Sequence, residues 1–287
     1  MYPPPSGDIC PIGVFDSGIG GLSVLKEIHQ LLPHESLIYV GDSAHAPYGD
    51  RSANFVKQRS IAISDFLLDK GVKAIVIACN TATAESAELL RERFDVPVIG
   101  LEPAIKPAAK LSKSGIIGVL ATQRTISSER LLGLTERFAK DKKVLAQACP
   151  GLVEQVEACE LNDAKTDALL KKYILPLLSQ GVDALILGCT HYPFLLPAIQ
   201  KIVGEEIEIL ETGRPVAEQL KRVLEINQLE KINSTKINNS DYKSQLNFYN
   251  SSANKQHHET MQKLWHNNFH QPNEDKITIS ILPELND

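Results

Sequence analysis

Cys79 and Cys189 stand in matching surroundings. Gly71-Val72-Lys73-Ala74-Ile75-Val76-Ile77-Ala78 leads to the first, and Asn80-Thr81 follows it. Gly181-Val182-Asp183-Ala184-Leu185-Ile186-Leu187-Gly188 leads to the second, and Thr190-His191 follows. An ordinary thiol has a pKa of about 8.5, near enough to neutrality to give or take a proton. Two of them in matched places suit one task, the inversion of an amino acid at Cα. A proton leaves one face and another returns to the opposite face, so a single base cannot easily serve both. One group must start charged and the other protonated. A positioned acid or base is worth roughly 10²–10⁴ in rate, so binding of the carboxylate and electrostatics must supply much of the rest.

The elements that would position these thiols are legible around them. Aliphatic runs without polar alternation fit strands buried on both faces of a parallel sheet. Each cysteine then lies at a strand's carboxyl end, where ligands bind in open α/β sheets. A second echo pairs Ile12-Gly13-Val14-Phe15-Asp16-Ser17 with Ile117-Gly118-Val119-Leu120-Ala121-Thr122. The Gly13 to Gly118 offset is 118 − 13 = 105, and the cysteine offset is 189 − 79 = 110. The fold class expected is α/β, with two similar α/β domains, mainly parallel sheets and an active site in the cleft between them. One domain comprises residues 1–102 and 213–287, the other 103–212.

In order, the patterns predict strands at 12–15, 36–40, 74–78, 96–100, 115–120, 144–146, 184–187 and 207–210. Helices are predicted from about 22, then at 52–70, 126–138, 152–161, 164–178 and 216–225, with Gly181 ending the fifth. A further helix ends near 93, and asparagine and threonine caps would open it beside Cys79. There the helix dipole and free N–H groups favour a thiolate. Residues 227–243 turn to Asn, Ser, Lys and Gln and read as a loop or mobile segment. A strand at 245–249, a helix at 258–269 bearing Met261, Leu264, Trp265 and Phe269, and an edge strand at 277–282 are expected to pack back on the body.

Composition narrows the class. The 287 residues carry a net charge of −5, with 43% hydrophobic and 23% charged residues, as in an ordinary soluble globular protein without a basic nucleic-acid footprint. No apolar run approaches the roughly 18 residues that span a bilayer, and the proline-rich start (1–11) resembles no secretory signal, so a cytoplasmic protein is expected. Five cysteines without a C-x-x-C pair argue against a disulfide framework. Cys10, Cys149 and Cys159 read as small buried hydrophobes. Asp16-Ser17-Gly18-Ile19-Gly20-Gly21 departs from the dinucleotide glycine pattern and has no Walker lysine. It reads instead as a tight turn whose N–H groups face a small anion. His191 could pair with Cys189 on zinc, but no further ligand pair supports this and no metal is expected.

Taken together, Asp16-Ser17-Gly18-x-Gly20-Gly21, Pro47-Tyr48-Gly49, Ala78-Cys79-Asn80-Thr81, Glu102-Pro103, Leu120-Ala121-Thr122 and Gly188-Cys189-Thr190-His191-Tyr192-Pro193 resemble the glutamate racemases. The likeness runs from about Ile12 to Leu224, and Asn247-Phe248-Tyr249 resembles the tail of some members. It implies cofactor-independent interconversion of L- and D-glutamate, supplying D-glutamate for peptidoglycan. It implies Cys79 and Cys189 as the two acid/bases, assisted by Asp16 and His191 respectively. Ser17, Tyr48, Gly49, Asn80, Thr81, Thr122 and Thr190 would hold the substrate carboxylates. Glu157 would lie near the ammonium group, with Glu154 one helical turn away as its competitor for that role. Glu211-Thr212 departs from the Asp-Ser expected at the return crossing. The rival readings are an aspartate racemase or related two-cysteine racemase, an anion-binding regulatory protein that has lost its chemistry, and a thiol redox sensor. The only partner implied is the small-molecule substrate, with neither nucleic acid nor membrane, and pairing as a homodimer is left open.

Overall fold

The computed structural model describes residues 10–230, 244–268 and 277–285. The first half alternates β1 (Ile12–Asp16), α1 (Leu22–Leu31), β2 (Leu37–Gly41), α2 (Ala53–Asp69), β3 (Ala74–Ile77), α3 (Asn80–Arg93) and β4 (Val98–Gly100). The second runs through α4 (Ile105–Leu111), β5 (Ile116–Ala121), α5 (Gln123–Ile126), α6 (Glu129–Phe138), β6 (Lys143–Ala148), α7 (Leu152–Glu157), α8 (Ala164–Leu178), β7 (Ala184–Leu187), α9 (Leu196–Val203) and β8 (Glu208–Leu210). The chain then adds α10 (Gly213–Ile226), β9 (Leu246–Asn250), α11 (Lys255–Asn268) and β10 (Ile279–Ile281).

Two sheets result, and every strand pairing in them is parallel. The first has the order β10-β9-β2-β1-β3-β4 and the second β6-β5-β7-β8. The inner order β2-β1-β3-β4 therefore recurs as β6-β5-β7-β8, with β3 and β7 in equivalent places. The packing repeats as well. A Cβ on Gly13 of β1 would stand 2.9 Å from Leu67 and 3.2 Å from Val72; on Gly118 of β5 it would stand 3.3 Å from Leu177 and 3.1 Å from Val182. In each half a helix presses a leucine of its last turn onto a strand glycine, then turns at a glycine of positive φ, Gly71 at 74° or Gly181 at 86°. Only glycine enters that left-handed region freely. The echo seen in the sequence is thus an echo in packing.

Three boundaries differ from the sequence pattern for local reasons. The predicted 126–138 helix starts only at Glu129, because Ser128 accepts the Leu131 N–H (3.2 Å) as its N-cap, and the separate short α5 ends at Ile126. The predicted 152–161 helix stops at Glu157, and Cys159 follows at φ 61°. Cys79 itself caps α3, its sulfur accepting the Ala82 N–H at 3.4 Å, in place of the expected asparagine and threonine. The proline-rich lead-in up to residue 9, residues 231–243 of the polar segment, and Phe269 lie outside the described residues.

The C-terminal elements complete the first sheet. β9 pairs along β2, and Phe248 and Trp265 pack ring to ring at 5.1 Å, both buried, with Tyr39 of β2 beyond. Trp265→Ala is expected to lower stability by roughly 3–5 kcal/mol. Thermal unfolding would show the loss, while turnover measured well below the new melting point should stay near that of the parent.

Candidate active site

The carboxyl ends of β1 and β3 meet those of β5 and β7 across a narrow cleft. Ser17, Tyr48, Gly49, Cys79, Asn80, Thr81, Thr122, Cys189, Thr190 and His191 line one cavity there, together with Pro47, Thr125, Val153 and Gly188. Ten of the twelve residues singled out from the sequence are therefore brought together, and Asp16 and Glu157 lie directly behind them. The cavity has a volume of only about 10 Å³. That is room for little more than one water, so the two halves are closed on each other.

The Cys79 side is a buried thiol. Its sulfur lies 3.7 Å from Ser17 Oγ, and Ser17 Oγ in turn lies 3.3 Å from Asp16 Oδ1. Burial, and then the charge of Asp16, push the Cys79 pKa well above the ordinary thiol value. The cap contact with Ala82 works the other way, as expected at a helix N-terminus, but desolvation is the larger effect. Burial therefore opposes the dipole-lowered thiolate expected from sequence.

The Cys189 side is different. His191 Nδ1 lies 3.8 Å from Cys189 Sγ, and Nε2 lies 2.7 Å from Glu157 Oε1. Burial alone would lower the His191 pKa, but its bonds to Cys189 and Glu157 outweigh this and raise it well above the usual value. Burial thus favours the neutral thiol at Cys79, while Cys189 stands beside a histidine whose bonds favour its protonated form.

Glu157 accepts from the Ile19 N–H (2.7 Å) and from Ser43 Oγ (3.2 Å) as well as from His191. Its carboxylate is taken up behind His191 rather than aimed into the cavity. Glu154 does not line the cavity either. The glycine turn has the same explanation. Asp16 accepts from the N–H of Ser17 (2.7 Å) and of Gly21 (2.5 Å), so the anions facing this turn are the protein's own carboxylates. A Cβ on Gly18 would overlap Glu157, and one on Gly20 would overlap the His191 ring.

Polar groups ring the rest of the cavity. Thr81, Thr122 and the unanticipated Thr125 form a triangle of hydroxyls at 2.9, 3.2 and 3.0 Å that bridges the halves. Thr190 Oγ1 donates to Asp16 Oδ2 at 3.3 Å. Gly49 abuts Thr122, whose Cβ would be 2.8 Å from a side chain there. Tyr48 gives its hydroxyl to Asp42 at 2.6 Å. The carboxamide of buried Asn80 has no protein partner on either atom. Orphaned buried polar groups are costly, so this one marks where a ligand's donors and acceptors belong.

Comparison with known proteins agrees with this architecture. The pattern of the Asp/Glu/Hydantoin racemase family matches residues 12–220. The chain belongs to that family. Among curated racemases, it is 54% identical to the glutamate racemase of Ectopseudomonas mendocina over 215 residues, which are 75% of this chain and 82% of that one. With the glutamate racemase of Methylococcus capsulatus it shares 52% identity over 224 residues, 78% of this chain and 83% of that one. A solved glutamate racemase isoform from Bacillus anthracis superposes with a TM-score of 0.80 at 33% identity, covering 96% of this chain and 98% of that chain. The Escherichia coli glutamate racemase, solved with L-glutamate and the activator UDP-MurNAc-ala, gives 0.79 at 31% identity, covering 95% and 98%. This racemase chain is accordingly an isomerase. Among its described residues no helix is long and apolar enough to cross a membrane, and no group of three or more His, Cys, Asp or Glu side chains is arranged to hold a metal ion. Cys149 is buried, with its pKa pushed up to about 12 by burial and then by Cys189, which suits an inert thiol.

Proposed function

We propose that the chain interconverts L- and D-glutamate without a cofactor, by proton transfer between Cys79 and Cys189. The observation that carries this is the pair of thiols set differently on one cavity: Cys79 buried against Ser17 Oγ, and Cys189 at 3.8 Å from the ring of His191. The Cys189 sulfur, as thiolate, takes the Cα proton of L-glutamate, and the C–H electron pair stays on the substrate as a carbanion delocalised into the α-carboxylate. The Cys79 S–H then delivers its proton to the opposite face. The products are D-glutamate, a Cys189 thiol and a Cys79 thiolate. The D-to-L direction runs the same steps in reverse. Asp16 acts through Ser17 on the Cys79 side, and the His191–Glu157 pair acts on the Cys189 side.

Asn80, the threonine hydroxyls, Ser17 and the Tyr48-Gly49 backbone offer the donors that two carboxylates need. Substrate reaches this cavity when the two halves separate. The E. coli relative was solved with a UDP-MurNAc activator, which supports placing the D-glutamate product in peptidoglycan synthesis in a cytoplasmic setting.

The test is chiral analysis of L-glutamate and, separately, L-aspartate incubated with the purified protein. D-glutamate should form in the presence of EDTA and of carbonyl scavengers, and pretreatment of the protein with iodoacetamide should abolish it unless glutamate is present during the pretreatment. Activity on aspartate alone, or loss on chelation that zinc restores, would overturn the reading.

Gly20→Ala probes the packing that aims His191. The added methyl must displace the ring or the turn, so turnover should fall by about 10²-fold, the effect expected of a misplacement near 1 Å. Steady-state kinetics on a variant that retains its melting temperature would check this.

A further inference from the structure

Behind the cavity lies a charged group that the proposed proton transfer does not use. Asp42 follows β2, is fully buried, and receives four hydrogen bonds on its carboxylate. Arg59 of α2 grips it with two nitrogens, Nε to Oδ2 at 3.0 Å and Nη2 to Oδ1 at 2.9 Å. Tyr48 donates its hydroxyl to Oδ2 at 2.6 Å, and His45 Nδ1 lies 2.9 Å from Oδ1. Burial alone would raise the Asp42 pKa, but the bonds from His45 and Arg59 overcome it and hold the carboxyl well below the usual range. Neither Asp42 nor Arg59 lines the cavity, whereas Pro47, Tyr48 and Gly49 do.

The segment between β2 and α2 thus presents a cavity wall that is tied down from behind. The Tyr48 ring packs edge-on against Phe55 of α2 at 6.3 Å, so its phenol is held at both ends. A bidentate guanidinium–carboxylate pair fixes orientation as well as distance, which an ammonium cannot do. We propose that Arg59 is a positioning residue for the reaction, acting through Asp42 to lock Tyr48 and Gly49 in the places from which they shape the substrate cavity. This rests on the reading that the cavity receives the amino acid.

A purely structural pair would affect stability and leave kinetics of the folded protein alone. The test is therefore a cycle of Arg59→Lys, Tyr48→Phe and the double variant, with kcat and KM measured for L-glutamate. Each single change should lower kcat/KM by about 10-fold, and the double variant should lose no more than either alone, because both cut the same tether. Arg59→Met combined with Asp42→Asn guards against misfolding, since removing both charges of a buried pair is far milder than removing one. In that protein, amide exchange across residues 44–50 should quicken by about 10-fold or more while β1 and β3 stay protected. Wild-type kcat/KM in Arg59→Lys, effects that multiply in the double variant, or unchanged exchange across 44–50 would each overturn the proposal. Exchange needs no substrate, so it tests the tether from Arg59 to residues 44–50 even if the wild-type protein proves not to act on glutamate, while the kinetic cycle tests its part in the reaction.

Discussion

Replacing either Cys79 or Cys189 by alanine is expected to abolish racemisation, by at least about 10³-fold, while leaving the fold intact. The carbanion would lack its thiol donor on one face. The two variants should nonetheless differ. Cys79→Ala keeps Cys189, so it should exchange the Cα proton of L-glutamate slowly with solvent and leave D-glutamate untouched. Cys189→Ala keeps Cys79 and should exchange D-glutamate alone. Proton NMR in D₂O would follow both. The closed, buried setting of Cys79 beside Ser17 and of Cys189 beside His191 makes this asymmetry a property of two different local environments.

The second large effect is expected at His191 and Glu157. His191→Asn removes the imidazole bonded to Cys189 and should lower kcat by roughly 10². Glu157→Gln keeps the shape and should cost about 10-fold, because it removes the negative charge that keeps His191 protonated. The pair also links stability to pH. Its folded-state pKa stands above the ordinary histidine value of 6.5, so its contribution is fully present below that value. It is lost as pH rises through the raised folded value. Glu157→Gln should therefore lower the melting temperature most at acidic and neutral pH, and the gap from wild type should narrow as pH climbs. A pH series of thermal melts on the two proteins measures this, and a constant gap would argue against a charged pair.

Much of the fold was legible because its strongest signals are local. Buried parallel strands such as β3 and β7 are short aliphatic runs, and each is preceded by a helix ending at glycine, so the cysteines could be placed at their carboxyl ends. The echo between the halves survives because the same packing, helix leucine onto strand glycine, recurs at Gly13 and Gly118. The limits of the sequence reading lie where the structure is built by distant partners. Glu157 bonds to Ile19 and Ser43, 138 and 114 residues away in the chain, and no local pattern marks that meeting. From sequence it read as a contact for the ammonium group; in space it stands behind His191. The glycine turn read as facing an external anion for the same reason, since its anions come from Asp16 and Glu157. Asp42 and Arg59 were missed altogether. An aspartate after a glycine looks like an ordinary turn residue, and an arginine within a helix looks solvated until the helix is packed. Thr125 escaped because it lies in α5, a single short turn capped by Thr122 that falls before the helix predicted from residue 126.

The cysteine environment shows a different limit. Position at a helix N-terminus argues for a thiolate at Cys79, and the sulfur does accept the Ala82 N–H. Burial depends on the closure of both halves, which the local sequence does not encode, and burial is the larger effect.

The most direct measurement is the isotopic content of the first product formed from L-glutamate in D₂O. With two thiols on opposite faces, the proton that leaves stays on Cys189 and the one that arrives comes from Cys79, which has equilibrated with solvent. Mass spectrometry of chirally separated samples taken at low conversion should find D-glutamate carrying deuterium at Cα and recovered L-glutamate still mostly protiated. D-glutamate that retains the original protium, as a single shuttling base would give, would contradict the two-thiol account.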